Sequence, residues 1–197
     1  MRINNNQADQ ITMMHQSWKI QEKDMDKNTH PFKAFLYGMG FGAGLMFLLL
    51  LPQTVSASDE NGETVCMAKN IYFEAGNQPL AGKVAVAQVV MNRIDHSDYG
   101  DTVCDVVYQA QWRTNYKGNM IPVRNKCQFS WFCDGKSDEP LDTDTFFESY
   151  LIAQDILMGK YPDITEGATH YHSIMVEPYW AETLNETVQI TDHIFYK

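Results

Sequence analysis

The sequence predicts an α+β domain, mainly helical with a small β-hairpin, preceded by an N-terminal membrane segment. Three observations carry this. Residues 32–51 form an apolar run of 20. Several later segments repeat apolar residues at helical spacing, and the last thirty residues hold short alternating pieces. With 197 residues, 44% of them hydrophobic and 20% charged, the chain suits one domain with a real core.

The polar stretch 1–31 contains Arg2, Lys19, Lys23 and Lys27, and Asp59, Glu60 and Glu63 follow the apolar run. The basic bias places the N-terminus inside and the remainder outside. Residues 52–63 read as a linker, and Val55-Ser56-Ala57 has the small-residue pattern of a cleavage site, so cleavage after Ala57 and retention as an anchor both fit. Gly38, Gly40, Gly42 and Gly44 weaken the apolar run and permit close helix packing.

Within 64–197, Thr64 to Ala75 is a helical segment ended by Gly76, apolar nearly all round. Gly76-Asn77-Gln78-Pro79 is a turn, and Leu80 to Ile94 is a second helix with Val84, Ala87, Val90 and Met91 in register. Asp101 or Thr102 caps a short third helix carrying Val103, Val106 and Val107. Trp112 to Arg124 reads as a surface loop. From Asp142 or Thr143 a further helix runs to Gly159, a C′ residue. HYHSI and TVQIT in 168–197 suggest a small hairpin.

Cys66, Cys104, Cys127 and Cys133 all fall on the outer side, an even count compatible with two disulfides. Three connectivities exist, and the short loop between the last two favours Cys127–Cys133 with Cys66–Cys104. Net charge is −10 without a basic block, which argues against a nucleic-acid partner. Residues 58–197 alone hold 21 Asp/Glu against 10 Lys/Arg.

Glu74 is the residue that invites chemistry. Set among Ile71, Tyr72, Phe73 and Ala75, its carboxyl should lose solvation and hold a proton more tightly, as a general acid does. The plainer alternative is a helix-terminal Glu paired with Lys69, Arg93 or a backbone donor. Asp95, Asp98, Asp101 and Asp105 sit in turn or cap positions, so no obvious second carboxylate stands beside it. His170 and His172 share a strand face but lack a third ligand, so no metal or other cofactor is expected. Trp131 and Trp180 are candidates for stacking on the flat apolar face of a ligand.

The segments AKNIYFEAGNQPLAGKVAVAQVVMNRI (Ala68 to Ile94), TVCDVVYQ, CQFSWFCDG (Cys127 to Gly135), ATHYHSIMVEPYW and HIFY resemble, in order and spacing, the SleB-like family of cell-wall hydrolases. The resemblance covers nearly all of residues 64–197. It implies a fold similar to lysozyme-like lytic transglycosylases, peptidoglycan as substrate and partner, and Glu74 of the I-Y-x-E-A motif as catalytic acid. It further implies that Gln128, Phe129 and Ser130 border the cleft, and that His170, Tyr171, His172 and Trp180 line or support its far wall. Many relatives carry Ala-Arg where this chain has Ala75-Gly76, so a contact from that arginine is absent here.

A lone Glu suits a lytic transglycosylase cleaving between N-acetylmuramic acid and N-acetylglucosamine; a catalytically silent wall-binding module and an amidase acting on the peptide stem are the alternatives. An exported, periplasmic or membrane-anchored location follows from the leader. A weakly held anchor that later leaves the membrane is a third fate for residues 32–51, as in signal-arrest-release endolysins of phages. An acidic domain acting on an anionic wall is expected to tolerate or gain from moderate salt.

Overall fold

The structure, a computed structural model, describes residues 57–197. The polar stretch 1–31, the expected membrane segment 32–51 and the first part of the linker lie outside the described residues. Among the described residues no helix is long and apolar enough to cross a membrane.

Among the described residues four α-helices form the body: α1 Ala57–Ala75, α2 Leu80–Ile94, α3 Val103–Val107 and α4 Thr143–Leu157. Helix α1 begins seven residues before the expected Thr64, inside the linker, because those polar residues carry no apolar periodicity to announce a helix. Glu63 fastens this end by accepting the Val103 N–H at the start of α3 (2.6 Å), and the Cys66–Cys104 disulfide joins the same two helices. The second disulfide is Cys127–Cys133, so both favoured pairings are present.

Helix α2 explains the architecture. From Ala81 to Val90 every residue is buried, because the helix is covered on two sides. Val84, Ala87 and Val90 pack with Met67 and Ile71 of α1, Val103 and Val106 of α3, and Ile152 and Ile156 of α4. Ala81, Ala85 and Val89 pack instead against Val188, Ile190 and Phe195 of a sheet. Small side chains let both layers approach; a Cβ at Gly82 would lie 2.9 Å from the Thr191 hydroxyl in that sheet's turn.

The caps follow from side-chain chemistry. Thr102 accepts the Asp105 N–H at the start of α3, and Asp142 accepts the Asp144 and Thr145 N–H groups at the start of α4. Gly159, at φ 69°, ends α4 as the left-handed residue expected there. The Tyr72 hydroxyl accepts the Leu141 and Asp142 N–H groups and pins the entry to α4 against α1.

Strand content exceeds the expected hairpin. The surface loop expected over Trp112 to Arg124 is an antiparallel hairpin, β1 Ala110–Thr114 with β2 Met120–Cys127. Four of the five β1 residues are exposed, so no alternation of apolar and polar residues marks the strand. Its turn is held by Asn115 Oδ1, which accepts the Lys117 and Asn119 N–H groups, and by Gly118 at φ 81°. At the C-terminus, β3 His170–Ser173, β4 Glu186–Ile190 and β5 His193–Tyr196 form an antiparallel sheet in the order β3-β5-β4. The pieces HYHSI and TVQIT, expected to make a hairpin, fall in β3 and β4 and do not pair with each other: β5 lies between them and the hairpin is β4-β5.

Candidate active site

Glu74 lies in the last turn of α1 and is partly buried. Its Oε2 accepts a hydrogen bond from the Tyr171 hydroxyl at 3.0 Å. Burial pushes the Glu74 carboxyl above its usual range, while the Tyr171 hydrogen bond and the Arg93 charge pull it down by less. Burial, then the neighbouring Glu74, drives the Tyr171 phenol well above its ordinary range, so it remains a donor.

Strand β3 delivers Tyr171. Pleating sends Tyr171 to the inner face, where its ring meets Phe195 (5.5 Å) and the edge of His193 (5.3 Å). His170 and His172 point to the other face. There both lie against Trp180, at 5.5 and 5.6 Å, and His172 Nε2 meets the Tyr196 hydroxyl at 3.0 Å. The four residues expected on one wall therefore divide: Tyr171 contacts Glu74, and His170, His172 and Trp180 build an aromatic cluster behind it. Burial, the Arg93 charge and His96 lower the His170 pKa, which keeps that imidazole neutral at neutral pH.

Arg93, near the end of α2, completes the site. It is 4% exposed, and its guanidinium lies over the rings of Phe129 (4.9 Å) and Tyr99 (5.1 Å). Arg93 Nε donates to the Thr169 carbonyl at 2.8 Å, anchoring the start of β3 two residues before Tyr171. Lys69, the other basic neighbour considered for Glu74, pairs with Glu139 instead. The sequence offers Arg93 only as an alternative partner for Glu74 and gives no local sign of Tyr99. The available signal was an arginine near the end of a helix whose residues from Val84 to Met91 are, Gln88 apart, all apolar.

The Gln128-Phe129-Ser130 stretch enters through its middle residue. Phe129 is buried under Arg93, whereas Gln128 and Ser130 are exposed. Trp131 is buried rather than open to a sugar ring. It stacks on Phe73 (4.7 Å, 20°), and its indole N–H donates to Asn70 Oδ1 at 3.2 Å. Its contact is with the residue beside Glu74, so it braces the end of α1. Asp95, Asp98, Asp101 and Asp105 are exposed. Among the described residues no three His, Cys, Asp or Glu side chains converge as a metal site. A depression lined by Glu63, Asp101 and Leu157 lies toward the opposite end of α1 from Glu74.

Fold and site thus define a mainly helical domain whose partly buried carboxyl, at a helix end, is supported by a phenol and a buried guanidinium. The chain belongs to the Cell Wall Hydrolase family, which it matches over residues 77–196, beginning three positions after Glu74. It is 37% identical over 59 residues to a spore cortex-lytic enzyme of Oceanobacillus iheyensis, covering 30% of this chain and 20% of that one. A spore cortex-lytic enzyme of Halalkalibacterium halodurans is 34% identical over 55 residues, covering 28% and 17%. The chain thus spans a fifth or less of the length of these curated relatives. Its fold is similar to the catalytic domain of the germination-specific lytic transglycosylase SleB from Bacillus anthracis, with TM-score 0.51 and 24% identity over 75% of this chain and 100% of that one. The catalytic domain of Bacillus cereus SleB gives the same TM-score and identity, over 75% and 95%.

Proposed function

We propose that the domain cleaves the glycan strand of peptidoglycan between N-acetylmuramic acid and N-acetylglucosamine, as a lytic transglycosylase with Glu74 as its one catalytic carboxyl. The observation that carries this is the state of Glu74: burial favours its protonated form, and a phenol engages only one of its two oxygens. Oε1 accepts no hydrogen bond among the described residues and is the oxygen assigned to the glycosidic bond.

In the first half of the reaction Glu74 gives its proton to the bridging oxygen as the bond to the muramic C1 breaks. The resulting carboxylate is stabilised by the Tyr171 hydrogen bond and the Arg93 charge. In the second half the muramic 6-hydroxyl attacks C1 and its proton returns to Glu74, leaving a 1,6-anhydro sugar and restoring the acid. No water is consumed and no second carboxylate is required, unlike the paired carboxylates of ordinary glycosidases. Family membership and the names of the relatives support cell-wall chemistry. Export with the catalytic domain outside the cytoplasm is part of the same reading and rests on residues 32–51; an endolysin role is one setting for it.

The test is Glu74→Gln, which keeps the shape and removes the proton. Clearing of peptidoglycan is expected to fall by about 10²- to 10⁴-fold. Unchanged clearing removes Glu74 from the mechanism, and binding without cleavage by the unsubstituted protein assigns a silent wall-binding module instead.

A further inference from the structure

Charge is segregated within this acidic domain. The β1–β2 hairpin, Ala110–Cys127, contains Arg113, Lys117, Arg124 and Lys126 and no Asp or Glu, while the rest of 58–197 holds 21 Asp/Glu and six Lys/Arg. Those six are engaged. Lys69, Lys83, Lys136 and Lys160 pair with carboxylates, Arg93 is buried, and Lys197 donates to the Glu166 carbonyl. Among the described residues none of the four hairpin cations has a carboxylate within 4.0 Å. The same hairpin exposes Trp112, Tyr116 and Met120.

Its base is continuous with the candidate site. Trp112 meets the edge of Phe132 at 5.9 Å, Phe132 meets Trp131 at 6.2 Å, and Trp131 stacks on Phe73, the neighbour of Glu74. The hairpin is thus joined to the end of α1 that carries Glu74 through packed rings.

We infer that the β1–β2 hairpin docks the anionic substrate strand, with Arg113, Lys117, Arg124 and Lys126 meeting carboxylates of its peptide stems and Trp112 and Tyr116 meeting sugar faces. This rests on the reading that peptidoglycan is the substrate. Complementary charge recommends the strand as occupant, since the acidic remainder of the domain repels it and leaves the hairpin as the attractive approach. Repulsion and attraction then act together to orient the domain.

The experiment uses the full chain carrying Glu74→Gln, so that strands stay intact and binding is read apart from catalysis. Sedimentation with purified sacculi is compared for this protein and for one that also carries Arg113→Gln, Lys117→Gln, Arg124→Gln and Lys126→Gln. Neutralising the hairpin is expected to weaken binding about tenfold at low salt. The gap should close as salt rises, because screening removes both the lost attraction and the remaining repulsion. Recovery at high salt also shows that the variant is folded, and Arg113→Lys with Arg124→Lys should retain binding. Equal binding at low salt, or a gap that ignores salt, overturns the inference. So does unchanged sacculus binding with a selective loss of retention on phosphatidylglycerol over phosphatidylcholine vesicles, which assigns the hairpin to a membrane. Both proteins carry the same Glu74→Gln, so any residual cleavage acts equally on the two and leaves the comparison between them unchanged.

Discussion

Glu74 and Tyr171 are 97 positions apart in sequence and 3.0 Å apart in space. Because the Tyr171 hydroxyl stabilises the charged form of Glu74, Tyr171→Phe should raise the Glu74 pKa further. A reaction that begins with protonated Glu74 loses rate as pH rises through that pKa, so the alkaline limb of the rate–pH profile should move to higher pH. The maximal rate should fall as well, since the carboxylate formed midway loses a donor. Turnover of labelled sacculi across pH measures both, and an unshifted limb would count against the hydrogen bond's catalytic part. The same raised pKa has a stability consequence. Below the unfolded value of about 4.5 the carboxyl is protonated in both states and Glu74 carries no penalty relative to Gln. Between that value and the folded pKa only the unfolded chain loses its proton, so Glu74→Gln should gain a stability advantage that grows with pH and then levels off. Thermal unfolding of both proteins against pH reads this directly.

At the scale of elements, helices were legible where one face or both were apolar. Leu80–Ile94 matches its expected bounds, and Thr102 and Asp142 cap where their side chains can reach free N–H groups. The strands were less legible for separate reasons. The hairpin β1–β2 is exposed and so lacks a periodic signature, and β3 pairs with a strand twenty residues away. The site shows the same division. Local surroundings announced the desolvated Glu74, but the opposite faces taken by Tyr171 and the histidines follow from strand pleating and pairing. Arg93 was hidden because its partners, Tyr99, Phe129 and Thr169, come from three separate segments. The disulfides allow a comparison of size. Cys66–Cys104 closes 38 positions and Cys127–Cys133 only 6, so replacing the first pair with serines should cost about 4 kcal/mol and the second about 2 kcal/mol on a loop-entropy basis. Denaturant unfolding of the two variants tests the order. Asp142→Ala should cost about 1 kcal/mol through its lost cap.

For the molecule as a whole, the acidity that sequence alone left unexplained takes on a direction. Residues 58–197, with 21 acids against 10 bases, oppose approach to an anionic wall, and one cationic hairpin breaks the pattern. The two act oppositely on salt dependence, so activity of the unsubstituted protein should change little, or rise, on adding moderate salt. A steep loss would mean that attraction outweighs repulsion over the whole surface.

The central claim is that Glu74 alone supplies and recovers the proton in a non-hydrolytic cleavage. Mass spectrometry of the sugar products released from sacculi tests it most directly, with Glu74→Gln as the control. The account predicts 1,6-anhydro-muramic termini from the unsubstituted protein and none from the variant. Reducing termini without anhydro sugar would contradict it and assign hydrolysis instead.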